Sequence, residues 1–305
     1  VCGFNPALHA QTRSPHQVSL SVDNDTFTYP QKDEYYTNGL FLSYRFIWPQ
    51  AFLLGKTPPV AELELSQQLF TPYSSDAPLV KYHDRPFAGL TSLKMGFHFF
   101  PCHESAFSSH IMISLLGPIS GGEQIQKFYH RLFNYFQVNG WEYQIQNEVG
   151  VNLLLAYARA ISYLFERHAN IALQLNGSLG NTFTNVGMGM VFRFSFSSLP
   201  ELSQSKFVHG DIYNNAKSEN PKLIFFVNPK LNAVFYNATI QGELFANSSP
   251  VTFEIKPLLW QLETGFIMQI YPISFSYSLT LLSKEIDYWV TTSHRFGRLS
   301  ASIDF

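Results

Sequence analysis

From Gln17 onward the chain alternates. Val18, Leu20 and Val22 fall on one face of an extended segment, and Ser19, Ser21 and Asp23 fall on the other. A period of two is the mark of a strand whose faces meet different surroundings. The same pattern, punctuated by turn residues, predicts strands over 17–24, 37–48, 61–70, 85–100, 107–116, 141–156, 160–179 and 183–196. Further strands are predicted from 222, over 256–270, after the turn at Tyr271-Pro272, and up to Phe305. Residues 197–221 read as a long polar connection and 237–254 as an excursion between strands. About twelve strands result, and an even number suits a closed bacterial barrel.

One stretch departs from this period. Over 120–136, Ile125, Phe128, Tyr129, Leu132, Phe133 and Phe136 recur at steps of three and four, which predicts a helix with one apolar face. Ser120 and Glu123 have capping-box spacing at its start. Gln126 and His130 lie one turn apart and project from the polar flank beside that face. An amphipathic helix in a β protein needs a surface to lie on, and a barrel wall is the one expected.

Composition favours a membrane barrel. Of 305 residues, 46% are hydrophobic and 16% aromatic, yet only 14% are charged, against about 25% in soluble domains. Mean hydropathy is −0.03, and no apolar run reaches the roughly 20 residues of a membrane helix. Alternating lipid-facing and lumen-facing residues keep average hydropathy modest. A large soluble sandwich or soluble barrel is the alternative. The net charge of −2 gives no support to nucleic-acid binding. Cys2 and Cys102 are too few for a disulfide framework. Residues 1–10, ending Ala7-Leu8-His9-Ala10, resemble the tail of a secretory signal, which leaves 11–305 as a single barrel domain.

Strand parity gathers the polar clusters. If the first strand runs outward, the loops after strands one, three and five open on one rim, carrying Asn24-Asp25, Asp84-Arg85 and the helix. Asp23-Asn24-Asp25, Asp33-Glu34 and Thr37-Asn38 suit a hard cation such as calcium, which takes six to eight oxygen ligands; an ordinary polar loop with Asx turns is the other reading. Arg85, with Lys81 nearby, is a candidate contact for an anionic substrate, or else Asp84 and Arg85 pair between neighbouring strands. His130 is a solvated helix residue, a metal ligand or a general base, since imidazole takes a proton near neutral pH. Gln126 is placed to orient the ring or a water. Zinc-hydrolase spacings and the Gly-x-Ser-x-Gly elbow are absent from the sequence.

Asp23-Asn24-Asp25, Tyr36-Thr37-Asn38-Gly39, Asp84-Arg85-Pro86-Phe87-Ala88-Gly89, the block from Gly121 to Gln126 with His130-Arg131, and Gly140-Trp141 with Gln144, Asn147 and Glu148 together resemble the LpxR family of outer-membrane lipid A 3′-O-deacylases. The resemblance implies an all-β fold, a twelve-stranded antiparallel transmembrane barrel with one short helix in an extracellular loop. It implies a site between wall and helix, on the extracellular side of a Gram-negative outer membrane. It further implies calcium-dependent hydrolysis of the 3′-linked acyloxyacyl ester of lipid A. His130 would activate water, Gln126 would support it, and Asn24, Asp25 and Thr37 would build the metal and polar site. Ser74-Ser75-Asp76 stands where the family carries a basic loop residue, with Lys81 as the substitute, and the stretch around Phe136 stands where it carries an acid. A monomer embedded in outer-membrane lipid is expected. The alternatives are an outer-membrane phospholipase or acyltransferase, and a porin or adhesin without catalysis.

Overall fold

The computed structural model describes residues 16–28, 33–49, 57–213 and 221–305, so the expected leader remnant over 1–10 lies outside the described residues. Twelve antiparallel strands close into one barrel. They are β1 (His16–Asn24), β2 (Tyr35–Ile47), β3 (Val60–Thr71), β4 (Ala88–Cys102), β5 (Ser105–Leu116) and β6 (Glu148–Leu164). The second half holds β7 (Ala169–Gly180), β8 (Phe183–Ser195), β9 (Lys222–Asn237), β10 (Leu258–Ile270), β11 (Ile273–Ser283) and β12 (Ser293–Asp304). Closure comes from β1 against β12, with Gln17 opposite Asp304 and Asn24 opposite Gly297. Helix α1 (Gly122–Leu132) lies between β5 and β6, and one turn, α2 (Ala238–Gln241), follows β9. No helix among the described residues is long and apolar enough to cross a membrane.

The alternation reads as expected, with the apolar side outward. Leu20, Leu40, Leu42, Leu63, Leu65, Ile111 and Ile113 are exposed, while Ser19, Ser43, Arg45, Glu62, Ser66, His98 and His110 are buried in the lumen. Polar inside and apolar outside is the arrangement that lipid imposes. In the lumen Arg45 forks onto Glu62 at 2.7 and 2.6 Å. The other Glu62 oxygen meets Lys94, His98 and His110 at 3.3, 3.2 and 3.1 Å.

The two ends differ. One end carries the start of β1 and the end of β12, the two-residue turns at 103–104 and 271–272, and the described part of the long connection, 196–213. That connection packs Leu202, Val208, Ile212 and Tyr213 against Val60, Phe100, Ala106 and Ala158. The opposite rim carries residues 25–28 and 33–34 and the loops at 72–87, 117–147, 238–257 and 284–292. Here Ala238 of α2 packs on Tyr36, Phe70 and Leu90, and Tyr35 stacks on Trp289 at 3.8 Å.

Candidate active site on the outer wall

Strand parity divides the acidic cluster at the end of β1. Asp23 points into the lumen, where it accepts hydrogen bonds from Arg298 Nη2 and the Tyr36 hydroxyl, each at 2.7 Å. Asn24 pairs with Asn38 on the face that carries Leu40 and Leu42, so it sits on the outside. Its side chain caps the following turn by accepting from the Thr26 amide at 2.7 Å. In that turn Asp25 is buried. Its Oδ2 accepts from the Glu34 amide at 2.8 Å, and its Oδ1 has no partner. Burial first, and then repulsion from Asp33, hold the Asp25 carboxyl well above the usual carboxylate range.

A bulge in β2 between Tyr36 and Asn38 adds Thr37 to the outer face, the way such bulges re-aim a side chain. Thr37 shares a 2.8 Å hydroxyl contact with Thr71 of β3.

Helix α1 lies over the outer face of β3 and β4. A Cβ on Gly122 would stand 2.7 Å from the Cα of Gly89, and one on Gly89 would stand 2.9 Å from the Cα of Gly122. Two glycines back to back therefore bring helix and wall into backbone contact. The Thr91 hydroxyl donates to the Ser120 carbonyl at 2.8 Å. The expected capping box does not form. Gly121, at φ 72°, is the cap, Ser120 Oγ donates to the Gly117 carbonyl at 2.6 Å, and Glu123 pairs with Lys127.

The second correction concerns the face that meets the wall. Gly122, Gln126 and His130, spaced one turn apart, are the buried residues of α1. The apolar residues face away: Ile125, Phe128 and Leu132 are 43%, 60% and 64% exposed. The helix thus turns its polar stripe inward, because the wall offers it polar partners.

Those partners converge on Asp33. Its Oδ2 accepts from Gln126 Nε2 at 2.9 Å, from Ser75 Oγ at 2.9 Å, and from His130 Nε2 at 2.7 Å. Gln126 Oε1 in turn accepts from the Trp141 indole at 2.8 Å, which fixes the amide's direction. His130 Nδ1 lies 2.8 Å from the Phe136 carbonyl, and a carbonyl only accepts, so Nδ1 carries a proton. Burial lowers the pKa of this ring, but the hydrogen bond and charge of Asp33 and the Phe136 carbonyl together raise it above its ordinary value.

Gln126 and His130 are thus joined through Asp33, and Asp25 is linked to them through its repulsion with Asp33. Asn24 adjoins Asp25, and Thr37 stands on the same face with its hydroxyl bonded to Thr71. Lys81 is exposed on a short turn, its Nζ 5.0 Å from the centre of the Tyr82 ring. Arg85 is fully buried and has no surface to offer a substrate. It donates to Thr239 Oγ1 at 2.9 Å, lies 3.8 Å from Glu285, and covers Phe70, so it holds loops together over the barrel mouth. Its expected pairing with Asp84 gives way to these contacts; Asp84 accepts instead from Tyr35 and the Tyr73 amide, each at 2.8 Å. Sequence reasoning grouped Asp33 with the cation oxygens and missed it as the partner of His130; it missed the roles of Ser75 and Trp141 altogether. Among the described residues, Glu62, His98 and His110 form the one convergent group of metal-ligand type. It lies in the lumen, with Arg45 and Lys94 already on its carboxylate.

A family profile described as "Outer membrane protein LpxR" matches residues 1–305. Among solved structures, the chain is similar to LpxR from Salmonella typhimurium, with 18% identity and a TM-score of 0.76 over 95% of this chain and 100% of that one. That likeness is one of fold. The β domain of the Bordetella autotransporter Brka follows at 8% identity and TM-score 0.48, covering 96% of this chain and 99% of that one. The KdgM porin follows at 5% and 0.42, covering 95% and 99%. No curated protein matches the sequence.

Proposed function

We infer the chemistry of this site from one premise: the chain belongs to the LpxR family of outer membrane proteins. It is an outer-membrane β-barrel, and its family supports lipid A deacylase activity. The finer reading is hydrolysis of the 3′-linked acyloxyacyl ester by water, at the site between the outer wall and α1. The observation that carries it is the buried His130 ring, pinned at Nδ1 by a carbonyl and facing Asp33 at Nε2.

With Nδ1–H committed to Phe136, Nε2 is the ring's one basic atom; when its proton has left and a water stands beside it in place of Asp33, Nε2 takes a proton from that water. The hydroxide so formed attacks the ester carbonyl carbon, and the bond to the sugar oxygen breaks. Imidazolium returns the proton to that oxygen, leaving a free fatty acid and a free hydroxyl. Asp33, 2.7 Å from Nε2, stabilises the imidazolium between these steps. Gln126, held by Trp141, keeps Asp33 in register with the ring. No acyl-enzyme forms, which agrees with a sequence lacking a serine elbow.

The donor set fits calcium. Asp25 Oδ1 is buried without a partner, and Asp25 and Asp33 repel each other in a place where a cation would relieve both. Asn24, Asp25 and Thr37 would hold the ion, which when bound supplies polarisation of the ester carbonyl and charge for the developing oxyanion. Lys81, exposed at the same rim, would meet the phosphates of lipid A.

His130→Ala tests this reading. Release of the acyl group, followed by mass spectrometry of lipid A, falls by about 10²–10⁴-fold while the barrel stays folded. Undiminished release rejects His130 as the base. Chelation by EGTA abolishes release, and activity that survives it rejects calcium. Release of fatty acid from phospholipid supplied alongside would move the assignment to a phospholipase.

A further inference from the structure

Helix α1 has three sides. At 3.6 residues per turn, Gly122, Gln126 and His130 occupy the side on the wall. Glu123, Lys127 and Arg131 form a flank to one side of it, with Lys127 bonded to Glu123 at 2.6 Å. Ile125, Phe128 and Leu132 form the flank on the other side, and Phe133 and Phe136 follow just past the helix end, all exposed. A helix on a soluble protein buries its apolar stripe. Here the apolar stripe is bare, as the outer faces of the strands are.

The bare stripe is continuous with those faces. Leu69, which α1 and Trp141 cover, shares its side of β3 with exposed Leu65 and Leu63. Exposed Ile119 precedes the helix, and exposed Val149 and Val151 lie on β6 just after its loop. The lipid-facing belt therefore runs up to the helix and over one of its flanks. The charged flank opposite is the side such a helix gives to water.

We propose that α1 lies along the membrane interface, with Ile125, Phe128, Leu132 and Phe133 among the acyl chains of the outer leaflet. In that position the flank receives the acyl chains of the lipid being cut and guides the ester to the cleft beneath. The membrane contact stands on the helix geometry. The guidance rests on the deacylase reading above.

Two single-cysteine proteins, Phe128→Cys and Arg131→Cys, are made with Cys2 and Cys102 replaced by serine. Each is spin-labelled and placed in phosphatidylethanolamine–phosphatidylglycerol vesicles. The label at 128 collides with oxygen and is shielded from a water-soluble nickel chelate, while the label at 131 shows the reverse. Equal access of nickel to both labels overturns the proposal. A label at 128 shielded from both reagents means that protein covers the flank, and overturns it too. In a second measurement, Phe128→Ser with Leu132→Ser raises KM for lipid A in vesicles about ten-fold and leaves kcat near wild type. Hydrolysis of a short water-soluble ester is unchanged. An unchanged KM removes the guidance role. Correct labelling with no lipid A hydrolysis by the unmutated protein would sink the deacylase reading and leave the membrane contact standing.

Discussion

Asp33 is the residue whose importance the sequence hides most. The His130 ring is held from two separate places. The Phe136 backbone carbonyl holds Nδ1, and a carboxylate from the first rim loop holds Nε2. Nothing in residue spacing tells that Asp33, 97 positions before His130, folds back to it. Because Asp33 raises the His130 pKa, and because a base must be unprotonated, activity climbs with pH through a value above the ordinary 6.5 or so. Asp33→Asn removes that support and leaves burial opposed only by the Phe136 carbonyl, so the acidic limb of the kcat/KM profile moves to lower pH while the plateau drops about ten-fold. A limb that stays in place refutes the role. The pairing also stabilises the fold below the unfolded histidine pKa, a contribution lost as pH rises through the folded one. Asp25 works in the opposite sense. Its raised pKa means that the ionised form strains the fold at neutral pH. Asp25→Asn should raise the unfolding temperature in EGTA, abolish the stabilisation calcium gives the wild type, and cut activity at least a hundred-fold. Thermal melts with and without calcium check the first two, and release of acyl chains from lipid A checks the third.

At the scale of elements, strands were easy to read and contacts between elements were not. Period two located nearly every strand, because lipid and lumen impose opposite demands on successive residues. The clearest error was the hairpin between β6 and β7, expected near 157–159 and found at 165–168. Phe165, Glu166 and Arg167 make that turn at φ 51°, 52° and 71°, a left-handed run without the glycine, asparagine or proline that marks a turn in sequence. The helix was legible as a helix, but its orientation was not, since an apolar stripe looks the same whether a core or a bilayer covers it. What seats α1 is the Gly89–Gly122 contact. Gly89→Val drives a branched side chain into the Ser120 hydroxyl and the Gly122 backbone and lifts the helix from the wall. The barrel keeps its heat-modifiable mobility on SDS gels, and lipid A hydrolysis falls at least ten-fold. Retained hydrolysis would show that the cleft does not need this close seating.

The whole molecule separates its two faces. The outer wall carries the cleft, and the lumen is a polar interior that holds cavities of about 550 and 350 Å³ lined by residues such as Glu62, Lys94, His110 and Lys230. Loops over the rim and residues 196–213 of the connection at the other end make this interior a packed core more than a passage. The connection is anchored at both margins: Arg193 donates to Ser205 Oγ at 2.7 Å and to Asn170 at 2.8 Å, and Gln17 donates to Asp211 at 3.2 Å. Breaking a buried hydrogen bond of a charged group costs on the order of 1–3 kcal/mol, enough to loosen one anchor without unfolding twelve paired strands. The wild-type protein in planar bilayers should therefore show no steady conductance, whereas Arg193→Ala should open intermittently as the connection leaves its seat. Since Arg193 lies across the wall from His130, hydrolysis by this variant should stay within about two-fold of wild type, as a surface-distant change leaves the reacting groups in place. A loss of hydrolysis without conductance would mean that the lumen supports the cleft through the wall. A steady wild-type current would return the barrel to the porins.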